Sequence, residues 1–238
     1  MNIKRTLSCI NADIKFQLKH GFYTVYIVLS MLYIIIMSFI SQDALKYVLP
    51  ILVYMDPAGL GLFFIGGMIL MEKEQGILSL LYITPLKVNE YIVSKVTTLG
   101  LISALAGTAV SLASYRLQCN YFLLFAGTFL VSIFFTLLGI WIVSRTKTVN
   151  EYLVKMIPMI MVFIVPCLTL IPNNFVPGFV NTLSLAVPSA GGLKLMFGAY
   201  DSIGMLDISV SFFGLIAVNG LLLKKVHKIL MNKVILYA

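Results

Sequence analysis

Charge is what this chain has least of. Only 11% of its 238 residues are Asp, Glu, Lys or Arg, while 60% are apolar and the mean hydropathy is +1.01. A soluble domain carries about 25% charged residues. This balance belongs to an integral membrane protein, not to one or two soluble domains. Cysteine is also scarce: Cys9, Cys119 and Cys167 stand far apart, without CxxC or Cys/His spacing. Neither a zinc site nor a disulfide framework is therefore indicated. The motifs of hydrolytic chemistry are missing as well, with no HExxH, no GxSxG, no paired membrane aspartates and no GxxxxGK[ST]. No catalytic, cofactor-binding or metal-binding residue is expected, and the chain is not expected to be an enzyme. Intramembrane acids and histidines mark proton relays and ion coupling, and here they are nearly absent. His20 and His227 flank the first and last apolar runs, and among nine acids only Asp56, beside Pro57, is expected at membrane depth.

What the sequence does have is long apolar runs. A bilayer core of ~30 Å needs ~20 such residues in helical form. The runs predict an all-α polytopic fold of six spans in a single domain, at 22–40, 47–71, 96–114, 122–144, 153–171 and 208–223. Pro158 and Pro166 predict kinks in the fifth, and Lys224 can snorkel at the end of the sixth. The second is the difficult one. From Pro57 to Met71 it is too short, at roughly 22 Å of helix, and starting at Tyr47 takes in Pro50 and Asp56-Pro57. We expect a span broken near Asp56-Pro57, or one beginning there, which makes these two residues candidates for a pathway or hinge.

The basic residues orient these spans. With six crossings both termini share a side, and that side collects fourteen of the seventeen Lys and Arg. Lys46, Arg116 and Lys194 are the three on the other side. Both termini and the segment 72–95 are therefore expected in the cytoplasm of a multi-pass cell-membrane protein. Topology accounts for the net charge of +8, so no nucleic-acid partner is called for.

Two further segments have character of their own. In residues 1–20, Ile3, Leu7, Ile10, Ile14 and Leu18 recur at helical spacing, with Lys4, Arg5, Lys15 and Lys19 on another face. This predicts an amphipathic helix in the cytoplasmic interface, among membrane lipids; a plain basic flank that only sets topology is the other reading. Residues 172–207 are apolar but broken by Pro172, Pro177, Pro188, Gly191 and Gly192. They are expected to form a re-entrant or interfacial outer segment.

The loop between the second and third spans is unusual in another way. Glu72-Lys73-Glu74-Gln75 leaves the membrane, Gly76 allows a turn, and Ile77, Leu78, Leu80, Leu81 and Ile83 form an apolar cluster. Thr84-Pro85 then stops any helix. A short amphipathic helix across the cytoplasmic face is expected, and the residues alone leave open whether it does more than rest on headgroups. The pattern resembles the signature of ABC transporter permeases of the type-2 export class. The wider run, from Asp56-Pro57 through Gly59-Leu60, Phe64-Ile65-Gly66-Gly67, EKEQG and TPL to Ser94-Lys95, is most similar to the fluoroquinolone-type drug export permease branch. Ser79 departs from the pattern, standing where many members carry an acid.

The resemblance implies a permease subunit of an ATP-driven exporter, moving an amphipathic small molecule, lipid or peptide outward. It implies a second copy of the permease (a homodimer) and a separate cytoplasmic ABC ATPase subunit that holds the ATP and Mg. It implies a coupling role for Glu72, Lys73, Glu74, Gly76, Leu78, Leu81, Thr84 and Pro85. Two other classes remain: a stand-alone secondary carrier or channel, and a membrane immunity or scaffold protein that transports nothing.

Overall fold

Backbone groups inside a bilayer must be satisfied within the chain, and a helix does this without help from neighbours. In the computed structural model, which describes residues 2–77, 86–115, 119–170, 187–201 and 204–236, the described residues form helices and no strand. In chain order these are α1 (Ile3–Lys19), α2 (Phe22–Ser38), α3 (Gln42–Glu74), α4 (Val88–Tyr115), α5 (Tyr121–Val143) and α6 (Val149–Phe163). A 3-10 turn (Val165–Leu170), α7 (Ala190–Tyr200) and α8 (Met205–Leu236) complete the order. Five helices are long and apolar enough to cross a membrane, and six do so if the pair α1–α2, bent by 65°, is one span.

The ends of these helices are set locally. Asn2 caps α1 by accepting the Lys4 N–H. Gly21, at φ 76°, turns the chain from α1 into α2, a conformation that glycine reaches without a side-chain clash. The Asn120 side chain caps α5, accepting the Leu123 N–H at 3.1 Å. Thr148 caps α6 by accepting the Glu151 N–H at 3.2 Å, and the Glu151 carboxylate reaches back to the Lys147 N–H at 2.8 Å, one residue before the cap.

The second span differs from the expected one. Instead of breaking at Asp56-Pro57, α3 continues through Pro50 and Pro57 for 33 residues, about 50 Å. Each proline removes one backbone bond, a loss that packed neighbours make tolerable in a membrane helix. The helix outruns the bilayer core, so the shortness inferred from hydropathy disappears. α4 and α8 too run past the apolar stretches that announced them, 96–114 and 208–223. α3 ends at Glu74 and α4 begins at Val88, which narrows the expected loop 72–95 to residues 75–87.

Three helices form the centre. α5 packs against α3, α4, α7 and α8, and 67% of its most apolar window is buried, compared with 17% in α8. Its Val131, Phe134, Phe135 and Leu138 fill the space between neighbours. α7 lies within the stretch expected as the outer segment. At 11 residues, about 16 Å, it is too short to cross, and it rests against α3, α5 and α8. The carbonyl of Phe163 at the end of α6 accepts from Ser189 at 2.5 Å, which ties α6 to the entry of α7.

Candidate functional site

The polar residues that the bundle brings together lie where α1, the end of α3 and the start of α4 meet. α1 presents an unusual face to the protein. Its buried residues are Thr6, Asp13 and Gln17, while Ile3, Leu7 and Leu18 of its apolar stripe are exposed. A soluble amphipathic helix buries its apolar side. Here the polar stripe faces protein and the apolar stripe faces outward, the arrangement suited to a helix with lipid on its far side.

That stripe is matched rung by rung on α4. Glu90 accepts the Asn2 N–H at 2.7 Å and pairs with Arg5 at 3.7 Å. Cys9 Sγ lies 3.1 Å from Ser94 Oγ. Ser94 donates to Asp13 Oδ2 at 2.6 Å, and Lys95 Nζ pairs with Asp13 Oδ1 at 2.5 Å. Gln17 donates to Thr98 Oγ1 at 2.9 Å. Helical spacing explains the match, because residues three and four apart share a face: Asn2, Arg5, Cys9, Asp13 and Gln17 meet Glu90, Ser94, Lys95 and Thr98 on α4.

α3 joins at Glu72. One carboxylate oxygen of Glu72 takes Lys95 Nζ, and the other accepts the Tyr91 hydroxyl at 2.7 Å. Lys95 is thus held between two carboxylates, all three groups being buried, at 1%, 5% and 4% exposure for Lys95, Asp13 and Glu72. Its ammonium also lies 5.0 Å from the centre of the Tyr91 ring. Every oxygen of both acids has a partner, the condition under which buried charge is tolerated. The arrangement makes and breaks no bonds. Chemically it is a joint, fixing three helix ends to one another. Among the described residues no group of His, Cys, Asp and Glu is placed to hold a metal.

The residues singled out from the sequence divide into three groups. Glu72 points into the joint. Lys73 is exposed and donates to the Thr146 carbonyl at 3.0 Å, linking α3 to the connection between α5 and α6. Glu74 is exposed on the last turn of α3, and Gly76 turns the chain at φ 70°. Leu78, Leu81, Thr84 and Pro85 lie outside the described residues. Asp56 is buried on α3, away from the joint, with 7% exposure; Pro57 follows it within the same helix. Asp13, Tyr91, Ser94 and Lys95 were not expected as site residues. The signal for Asp13 was the stripe Arg5, Cys9, Asp13 and Gln17 at spacings of four along α1.

Comparison with known proteins adds a whole-chain likeness. The family described as the fluoroquinolones export permease protein family matches residues 4–235. Two curated proteins of Mycobacterium tuberculosis, from strains CDC 1551 / Oshkosh and ATCC 25618 / H37Rv, are each named fluoroquinolones export permease protein. Each is 25% identical to this chain over 164 residues, covering 68% of this chain and 67% of its own length. No solved structure matches.

Proposed function

The chain belongs to the fluoroquinolones export permease protein family, and from that premise we propose that it is the membrane-spanning subunit of an ATP-driven exporter. It works as one of two copies, each docked on a separate cytoplasmic ATPase that binds ATP and Mg. The cargo is an amphipathic molecule carried outward, as the names of the mycobacterial relatives describe for those proteins. Residues 75–87 form the segment pressed against the ATPase.

The observation that supports this reading best is the Asp13–Lys95–Glu72 joint. It stands at the two helix ends flanking residues 75–87. A push on that segment meets a base in which α1, α3 and α4 are already fixed together, so displacement is passed to whole helices rather than absorbed locally. Rigid-body movement of packed elements is the usual form of a membrane switch. The sequence given contains no P-loop, and on this reading ATP is bound by the separate subunit.

The test replaces residues 76–84 with a Gly/Ser linker of equal length. Membrane insertion and yield should be unchanged, while ATP-dependent export by the reconstituted complex falls to background. Undiminished export by the linker variant would refute the coupling role. Flux through the permease alone in liposomes, driven by a proton or sodium gradient, would favour a stand-alone carrier instead.

A further inference from the structure

Two cations of this chain share one aromatic ring. Trp141 lies two residues from the end of α5, and Arg145 stands just beyond that end. The Arg145 guanidinium lies over the Trp141 ring, 4.5 Å from its centre, and the Lys225 ammonium of α8 lies over the same ring at 5.5 Å. Charges held to one ring at these distances are at most about 10 Å apart, which is the Debye length in roughly 0.1 M salt, so each feels the other. Neither has a carboxylate: the ion pairs of the described residues all lie elsewhere. Lys224 and Lys228, beside Lys225, are exposed and also outside those pairs. The shielded indole N–H of Trp141 has no acceptor among the described residues.

The surface that leads to these cations is apolar. Phe213, Ala217, Leu221 and Lys225 recur at every fourth position and so form one ridge along α8. All four are exposed, Phe213 at 69% and Leu221 at 67%. α8 is among the helices long and apolar enough to cross a membrane, where an outward apolar side chain meets hydrocarbon. The ridge therefore changes from hydrocarbon-facing to cationic within one turn, between Leu221 and Lys225. Lys73 donates to the Thr146 carbonyl, next to Arg145, so the cations stand at the end of the bundle where α3 stops. Asn219 donates to the Leu130 carbonyl at 3.0 Å and holds α8 against α5.

A tryptophan at the end of a span sits at headgroup depth, and its ring attracts cations without cancelling their charge. The group that would cancel it is an anion, and the adjoining ridge specifies what carries that anion. A free phosphate ion would use the cations and leave Leu221 and Phe213 idle, and so would an acidic protein surface outside the membrane. An anionic phospholipid uses both, since basic pockets between spans take its headgroup and exposed apolar side chains take its hydrocarbon. Phosphatidylcholine carries the same phosphate beside a quaternary amine, a further cation that the site has no carboxylate to accept. We propose that Trp141, Arg145 and Lys225 form a binding site for the phosphate of an anionic phospholipid, with an acyl chain along Leu221, Ala217 and Phe213. The site does not depend on the export reading, and it exceeds general lipid contact because it selects charge.

Trp141 is the one tryptophan of the sequence, so its fluorescence reads this site directly. The full chain is reconstituted in vesicles of equal parts phosphatidylglycerol and phosphatidylcholine, with bromine on the acyl chains of one lipid or of the other. Brominated phosphatidylglycerol should quench Trp141 more than brominated phosphatidylcholine, with a relative association constant of about five or more, the effect of one basic residue at an anionic surface. Arg145→Gln with Lys225→Gln should bring that constant close to unity, and Arg145→Lys with Lys225→Arg should keep most of it. Lys15→Gln with Lys19→Gln removes the same net charge from α1 and should leave it unchanged. All four positions are exposed, so folding is expected to survive; where the first pair does not insert, either of its single substitutions serves and should lower the constant. Equal quenching of the wild type by the two lipids would overturn the proposal and leave the cations to an acidic protein surface. An equal fall in the Lys15 and Lys19 variant would overturn it as well, because any basic residues would then do. In vesicles of phosphatidylcholine alone, millimolar inorganic phosphate should leave Trp141 emission unchanged; a saturable shift would assign the site to free anions and overturn the lipid.

Discussion

Lys95 is the residue on which most of the joint depends. It is one cation facing two carboxylates, and its removal leaves Asp13 and Glu72 buried and opposed. Breaking a buried ion pair from one side costs about 3–5 kcal/mol, so Lys95→Met should lower the thermal unfolding midpoint sharply in detergent. Neutralising the two acids at the same time, with Asp13→Asn and Glu72→Gln, should recover most of that loss, since an uncharged cluster has no stranded charge. A Lys95→Met variant as stable as the wild type would show that the three groups do not share one site in solution. Little of this was legible in the sequence. Asp13 and Lys95 are 82 positions apart; Asp13 looked like an ordinary cytoplasmic charge, and Lys95 closed the run that carries the family resemblance without any sign of its partners. Glu72 was noticed, but as a docking charge; the sequence cannot show that its carboxylate turns inward. Asp56 was legible because an acid amid apolar residues is conspicuous without any partner.

The helices were far more visible than the joint between them. Apolar runs located the spans because hydropathy reports what lipid and core both demand. For α3, α4 and α8 the runs understated the lengths, since a helix continues into charged residues where those find partners, as α4 does at Glu90 and Lys95. Pro57 misled for a related reason: a local breaker is overruled when the helix around it is packed. α1 was read as amphipathic from its apolar stripe and basic face, but the buried stripe of Thr6, Asp13 and Gln17 between them escaped notice. The buried side leads to a prediction about movement. The N-cap Asn2 and four residues of α1, Arg5, Cys9, Asp13 and Gln17, contact α4 through hydrogen bonds, close polar contacts or ion pairs, so the two helices should move as one body. Cys9 Sγ and Ser94 Oγ are 3.1 Å apart, within easy reach of the ~2.05 Å sulfur–sulfur bond. In a Ser94→Cys variant, mild oxidation should cross-link Cys9 to the new cysteine and leave ATP-driven export at its reduced-state rate. Export that stops on oxidation and returns with reductant would show that α1 slides along α4 during the cycle.

At the scale of the whole molecule, function depends on which side of the membrane receives residues 75–87. An ATPase can act on that segment only from the cytoplasm, the side on which the distribution of Lys and Arg leads us to expect it. The fold makes the orientation testable at two exposed positions. Ser41 precedes α3 and makes no side-chain cap, and Asn150 lies in the first turn of α6. From the charge distribution we expect Ser41 outside and Asn150 inside. In a background with Cys9, Cys119 and Cys167 changed to Ser, Ser41→Cys should react with an impermeant maleimide in intact cells. Asn150→Cys should react only after permeabilisation. The reverse pattern would turn residues 75–87 outward and remove the route by which ATP hydrolysis reaches the bundle. It would also set fourteen of the seventeen Lys and Arg against the cytoplasmic preference of basic residues. Labelling at these two positions therefore tests the energy source as well as the topology: a permease that presents its coupling segment to the exterior has no way to be driven by a cytoplasmic ATPase.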